Sequence, residues 1–212
     1  MTRGLDEAHQ GCGRPAQRGL LMSENDYAHR YFRALFDAAQ AVTSSLEVEE
    51  VLQRLAESTV LAMGIKACVL RLLNEDGETL TLRAAYGLSE RYLRKGPVVR
   101  AQSALDHAAL QGQVVIVPNV ATNPLFQYPH QAQEEGIASV LCVPLRAHGE
   151  AIGVMRAYTA EPHDFSEIEQ EFVQALADLG ALAIVNARRF ESIQRDYHDA
   201  IDVMWGASRS RQ

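Results

Sequence analysis

The sequence predicts an α+β protein organised around an antiparallel sheet, and three observations carry that expectation. Ser139–Tyr158, SVLCVPLRAHGEAIGVMRAY, reads as two apolar strands about a polar turn at His148, Gly149 and Glu150. Ala67–Leu73 and Thr79–Tyr86 read as a second strand pair about a turn containing Asp76 and Gly77, a strong short hairpin signal. Apolar residues recur at steps of three and four on either side of these hairpins, which marks amphipathic helices. In the first hairpin, Val140–Leu145 and Ile152–Met155 are apolar at nearly every position, as in strands covered on both faces. Pro144 lacks a donor and is expected at a bulge or a solvent-facing ladder position, and Gly153 where another segment approaches the backbone.

With 212 residues, 47% hydrophobic and 22% charged, the chain is composed like one soluble globular domain with flanking helices. A net charge of -7 without a long basic run argues against a nucleic-acid surface, which needs clustered Lys and Arg. Cys12, Cys68 and Cys142 are few and scattered, and neither a secretory signal nor an apolar run of membrane-spanning length is evident. A reduced, cytoplasmic protein with no membrane partner is expected.

Residues 1–22 are Gly- and Arg-rich without periodicity and are expected to be a disordered extension, with translation starting at either Met1 or Met22. Tyr27, Tyr31, Leu35, Ala38 and Val42 mark a helix from about Asn25 to Thr43, within an N-terminal segment 23–45. Ser44 with Glu47 has the capping-box spacing, and Val48, Leu52, Leu55, Thr59 and Ala62 give the stripe of a second helix that Gly64 ends. After the Asp76–Gly77 hairpin comes a polar, Arg-rich connection. Ser103 with Asp106 opens a short helix closed by Gly112, and Val114–Val117 form another strand.

From Pro118 the pattern dissolves into PNVATNPLFQYPHQ, with three prolines and exposed-looking aromatics, and a connection this long is expected to be a functional lid. Ile137 then leads into the central hairpin. Ser166 with Glu169 caps a last helix on which Phe172, Leu176, Leu179, Ala183, Asn186, Phe190, Ile193 and Tyr197 follow a four-and-three spacing. Trp205 and a polar tail end it. Such a seam predicts packing first on the domain and then on a partner helix, hence a homodimer.

SVLCVPL at Ser139–Leu145, AIGVMRAY at Ala151–Tyr158, the Phe165–Ser166 helix start and NARRF at Asn186–Phe190 occur in an order that resembles a GAF domain over roughly residues 46–190. Residues 191–212 then form an extension of the final helix and tail. The resemblance implies a central antiparallel sheet of five or six strands, the first and last helices on one face, and a ligand pocket covered by loops on the other. It implies a non-catalytic sensory module that binds a small molecule and signals through paired terminal helices. No kinase, cyclase or helix-turn-helix pattern follows the last helix, so the expectation is a stand-alone sensor acting on a protein in trans, such as a histidine kinase or regulator, or else a fragment. The ligand and any cofactor are left unidentified by the resemblance. The VPNVATNPLF segment is similar to a family loop that often carries Asp where this chain has Asn119 and Asn123, and Ser103 and Asp106 stand where glycines are common.

Within that frame the candidate ligand-binding residues are Phe126, Tyr128, His130, Asn119, Asn123 and Arg156, with no catalytic or metal-binding set. Phe126 and Tyr128 either stack on a ligand or plug an empty pocket. His130 ends the lid beside them, His148 belongs to an exposed turn, and His107 has no ligand-like spacing to either. Arg71, Arg83, Arg100 and Arg156 lie on or next to strands and offer forks of donors to an anion or to nearby carboxylates. Asn186 either fixes the register of a helix pair or sits at the edge of the stripe. A related family reduces free methionine sulfoxide with cysteines in the short helix and the long loop. No cysteine occurs from Ser103 to Pro129, which disfavours both that redox alternative and covalent bilin attachment. Cys68 and Cys142 are expected to pack as small hydrophobes. A further alternative is a degenerate domain serving only as a dimerisation scaffold.

Overall fold

The computed structural model describes residues 24–44, 47–123 and 126–209; the expectations for residues 1–22, including Cys12 and the start at Met22, lie outside them. Two helices come first, α1 (Glu24–Ser44) and α2 (Val48–Met63), followed by the hairpin β1 (Ala67–Leu73) and β2 (Thr79–Tyr86). A short α3 (Glu90–Leu93), β3 (Val98–Val99), α4 (Ala104–Leu110), β4 (Val115–Val117) and α5 (Pro129–Glu134) lead to β5 (Ser139–Ala147), β6 (Glu150–Thr159) and the long α6 (Glu167–Arg209). The six strands form one sheet in the order β3-β2-β1-β6-β5-β4, with every neighbouring pair antiparallel.

Local chemistry explains the joints. Gly64 caps α2 in the left-handed region at φ 67°, where a side chain would be strained. The Asp76 carboxylate accepts from the backbone N–H groups of Glu78 and Thr79, and Gly77 at φ 70° completes the turn between β1 and β2. Ser166 and Glu169 make the expected reciprocal cap: Glu169 accepts from the Ser166 N–H at 2.8 Å, and the Ser166 hydroxyl accepts from the Glu169 N–H at 3.4 Å.

The period of two along the strands divides two cores. Leu141, Val143 and Leu145 of β5, Met155 and Ala157 of β6, and Cys68, Leu70 and Leu72 of β1 pack under α1, α2 and α6. Val140, Cys142, Val154, Tyr158, Ala67 and Val69 face the other way, against α3, α4, α5 and the lid. Gly153 permits the approach anticipated for it: a Cβ there would lie 2.3 Å from the Arg71 carbonyl oxygen of β1. Pro144 pairs with Val154 inside the sheet, one residue before the register shift at Leu145 and Arg146 and beyond Cys142, the last residue paired to β4.

Several expectations need correction. The capping box at Ser44 and Glu47 does not form: α1 runs through Ser44, and Glu47 is the extended cap residue of α2 without a side-chain cap bond. The fourth strand begins at Val115 instead of Val114, and α6 continues past Trp205 to Arg209. The polar connection and the lid contain α3, β3 and α5, elements too short to carry a period. Phe126 is buried instead of exposed, and Asn186 is exposed at the edge of the α6 stripe.

Candidate functional site

The helix-covered core is apolar, whereas the opposite face of the sheet carries charge in its interior. Arg71 of β1 and Arg156 of β6 each interrupt a buried strand and are each 4% exposed. Arg156 meets Asp106 of α4, which is fully buried: Nε donates to Oδ1 at 2.8 Å, and Nη2 donates to Oδ2 and to the Ser103 hydroxyl at 3.3 Å. Ser103 caps α4 by accepting from the Asp106 N–H, so one cap residue sets the helix start and braces the ion pair. Burial opposes the charge on Arg156, but Asp106 more than offsets it and holds the guanidinium well above its ordinary pKa.

Arg71 has no such answer. Its Nη1 makes one long bond to the Leu80 carbonyl at 3.5 Å, its Nε has no partner, and burial pulls its pKa below the ordinary value. Tyr92 of α3, 2% exposed, meets Tyr158 edge-on at 6.4 Å between centroids and leaves its hydroxyl without a partner. Lys95 lies with Nζ 3.7 Å from the centre of the Tyr92 ring. Burial lowers its pKa to about 7, with Arg71 and Arg156 adding to the effect.

Tyr92 and Lys95 form the inner wall of an open cleft of about 590 Å³ between α3 and α5. The rim is tied across it: the Ser89 N–H donates to Glu135 at 2.8 Å, and Arg91 pairs with Glu134 at 2.8 Å. Ser89, Arg91, Tyr92 and Lys95 were missed in the sequence, where residues 87–99 read only as a polar, Arg-rich connection, and Glu134 and Glu135 carried no signal there. Arg71 and Arg156 did carry a signal, because a charge inside a strand covered on both faces must be buried and must find a partner.

The remaining candidates are dispersed. His130 is exposed on the cleft rim. The Tyr128 hydroxyl donates to the Pro97 carbonyl at 2.9 Å, its ring 5.7 Å from the Lys95 ammonium, so Tyr128 reaches the cleft region. Phe126 packs in the core beneath the lid with Val117, Val120 and Ile137. Asn119 caps the 3-10 turn Val120–Thr122 by accepting from the Ala121 N–H at 3.0 Å, and Asn123 ends that turn. Arg83 pairs with Glu49, and Arg100 donates to the Gly77 carbonyl. Cys68 and Cys142 are buried, and burial pushes the first thiol up to about 12 and raises the second as well. Thiolate chemistry at neutral pH is thereby suppressed. Among the described residues no group of three or more His, Cys, Asp or Glu side chains is placed to hold a metal ion, and no helix is long and apolar enough to cross a membrane.

Comparison with known proteins agrees with this architecture. The family model for the GAF domain matches residues 45–185. The Nif-specific regulatory protein of Azospirillum lipoferum is 26% identical over 124 residues, which are 57% of this chain and 20% of that protein, so the chain spans about a fifth of that relative. The crystal structure of the GAF domain from Acinetobacter phosphoenolpyruvate-protein phosphotransferase superposes with a TM-score of 0.66 at 23% identity, covering 79% of this chain and 97% of that one. Free methionine-R-sulfoxide reductase from Neisseria meningitidis, solved with its substrate, superposes with a TM-score of 0.65 at 19% identity over 79% of this chain and 95% of that one.

Proposed function

Because the chain belongs to the GAF domain family, we propose that it is a non-catalytic sensory module. It binds a small molecule on the sheet face covered by α3, α4 and α5 and signals through α1 and α6 to a partner protein in trans, such as a histidine kinase or regulator. The observation that carries this reading is the asymmetry of the two cores, one apolar and one that buries the charges of Arg71, Arg156 and Asp106 beside an open cleft. The regulatory role named for the Azospirillum lipoferum relative supports it.

The helices supply a route. The Tyr31 ring of α1 stacks on Phe172 of α6 at 4.2 Å, and eleven residues further along both helices Val42 lies near Ala183, so α1 and α6 run side by side in parallel. Beyond that stretch Phe190, Ile193 and Tyr197 stand exposed, as do Phe32 and Phe36 of α1. A second copy covering these apolar faces gives a homodimer in which both terminal helices are paired.

Thermal unfolding of the full chain with pooled metabolites tests the binding: a saturable rise in midpoint is expected, and its absence across the pools leaves a dimerisation scaffold as the better reading. Truncation after Arg189 tests the route, with a folded monomer by light scattering expected from a dimeric parent. A parent that is already monomeric removes it. Turnover of free methionine sulfoxide by the full chain, lost in Cys68→Ser or Cys142→Ser, would instead establish the redox alternative.

A further inference from the structure

Among the described residues, the pocket face holds more positive charge than its one fully buried carboxylate, Asp106, can answer. Asp106 is engaged by Arg156 through both carboxylate oxygens, which leaves Arg71 of β1 and Lys95 after α3 without an anionic partner of their own. Glu135 also acts on Lys95, but it is held by the N–H and hydroxyl of Ser89. Glu134 is held by Arg91. A buried guanidinium with a free Nε and a buried phenol with a free hydroxyl are costly unless something else completes them.

Resting on the sensory reading above, we propose that this face takes a small anion bearing a carboxylate or a phosphate, held between the Arg71 guanidinium and the Lys95 ammonium with the Tyr92 hydroxyl as a further donor. The chemistry of the donors selects that class. The Nε side of a guanidinium presents planar, paired donors that match the oxygens of a carboxylate or phosphate, and an ammonium adds a point charge of the same sign preference. Both interactions strengthen in a site shielded from water. The cleft between α3 and α5 leads to Lys95 and Tyr92, whereas Arg71 is not part of its lining. Entry therefore takes a shift of the Tyr92 side chain that admits the anion from the cleft and keeps its hydroxyl facing the bound oxygens. Arg156 keeps its bonds to Asp106 throughout and supplies background positive potential.

The test titrates the full chain with succinate, with inorganic phosphate and with uncharged succinamide, by calorimetry and by thermal unfolding, in the parent and in Arg71→Met and Lys95→Met. One or both anions at millimolar concentration are expected to raise the parent midpoint by roughly 2–6 °C, with succinamide inert, and the arm that responds identifies carboxylate or phosphate. Each substitution weakens anion affinity by about tenfold or more, as expected for loss of a charge-assisted contact. Without anion, Arg71→Met melts at or above the parent, because a neutral chain of similar length replaces a partnerless charge. Anion shifts as large in both variants as in the parent reveal a general salt effect and overturn the proposal, as does a parent that responds to neither anion. A response to succinamide or to neutral metabolites alone also overturns the anion class while the sensory reading stands. If Arg71→Met does not fold, Lys95→Met at the cleft wall decides by the same criterion.

Discussion

Replacing Asp106 with Asn is the sharpest single probe of the pocket face. The substitution keeps the volume of the side chain and removes the charge that both Nε and Nη2 of Arg156 address. Arg156 is 4% exposed and among the described residues has no second carboxylate within hydrogen-bond reach, so its guanidinium becomes a buried charge beside Arg71, a like charge that Asp106 no longer offsets. Breaking one side of a buried pair costs about 3–5 kcal/mol. For a chain of this size each kcal/mol moves the midpoint by about 2–4 °C, so Asp106→Asn should melt roughly 6–20 °C below the parent. Circular dichroism at 222 nm on heating reads the change. The double substitution Asp106→Leu with Arg156→Met removes both charges, and it should recover most of the loss or exceed the parent, since apolar replacement of a buried pair is often neutral or stabilising. A fall of less than about 2 °C in Asp106→Asn would refute the reasoning, because that charge would then not be what keeps Arg156 inside.

Val143→Asp and Val154→Asp should each abolish cooperative melting, since both sites are fully buried on opposite faces of the sheet and an unpaired carboxylate is intolerable at either. Gly153→Ala should destabilise the chain by about 2 kcal/mol or more in chemical denaturation, as its Cβ would meet the Arg71 carbonyl at 2.3 Å and force β1 and β6 apart; an unchanged midpoint contradicts the pairing. Lys95 predicts a pH dependence. Its folded pKa, lowered to about 7 from 10.5, means that the unfolded chain binds the extra proton between those values. Stability from this group therefore rises as pH increases from about 7 towards 10.5; burial sets the shift first, Arg71 of β1 and Arg156 of β6 add to it, and Asp106 of α4 and Glu135 beyond α5 oppose it, with Nζ lying over the Tyr92 ring. Chemical denaturation between pH 7 and 9 should show a steeper upward slope in the parent than in Lys95→Met, and parallel slopes count against the assignment.

Legibility in the sequence followed the length of the signal. Strands β1 and β2 emerged with their observed ends because a turn with its own chemistry, Asp76 and Gly77, separates two long apolar runs. The same Ser-x-x-Glu spacing occurs at Ser44 and at Ser166, yet only the second forms a cap. Ser166 follows a non-helical segment and is free to adopt the cap conformation, whereas Ser44 is still the last residue of α1. Local motifs state what the chain can do, and the neighbouring element decides. In the candidate site, Arg156 was legible as a donor, but its partner Asp106 lies fifty residues away and reads on its own as a helix-start residue. Tyr92 sits on a helix of four residues and Lys95 in the bend that follows it, where periodicity has no room to appear. Phe126 shows the converse: a lone aromatic in a proline-rich stretch looks exposed until the sheet face beneath it is built.

The length of α6 gives the molecule a mechanical advantage. Its 43 residues make a rod about 64 Å long at 1.5 Å per residue. The near half is clamped to the sheet: Gln174 donates to the Pro144 carbonyl at 3.0 Å, Arg146 pairs with Asp178, and Gly180 nests among Leu52, Leu55 and Leu145. The clamp falls on β5, the strand whose other face presents Cys142, 3.9 Å from the Asp106 carboxylate. From Arg188 to Arg209 the rod extends about 33 Å further, with every side chain through His198 exposed. One strand thus lies between the charged face of the sheet and the helical arm. From the clamp at Asp178 to Arg209 the arm is about 46 Å, so a tilt of about 4° at β5 would sweep the far end through about 3 Å, as far as adjacent residues stand apart along a strand, an adjustment too small to repack the core yet large enough to change what the end of the helix touches.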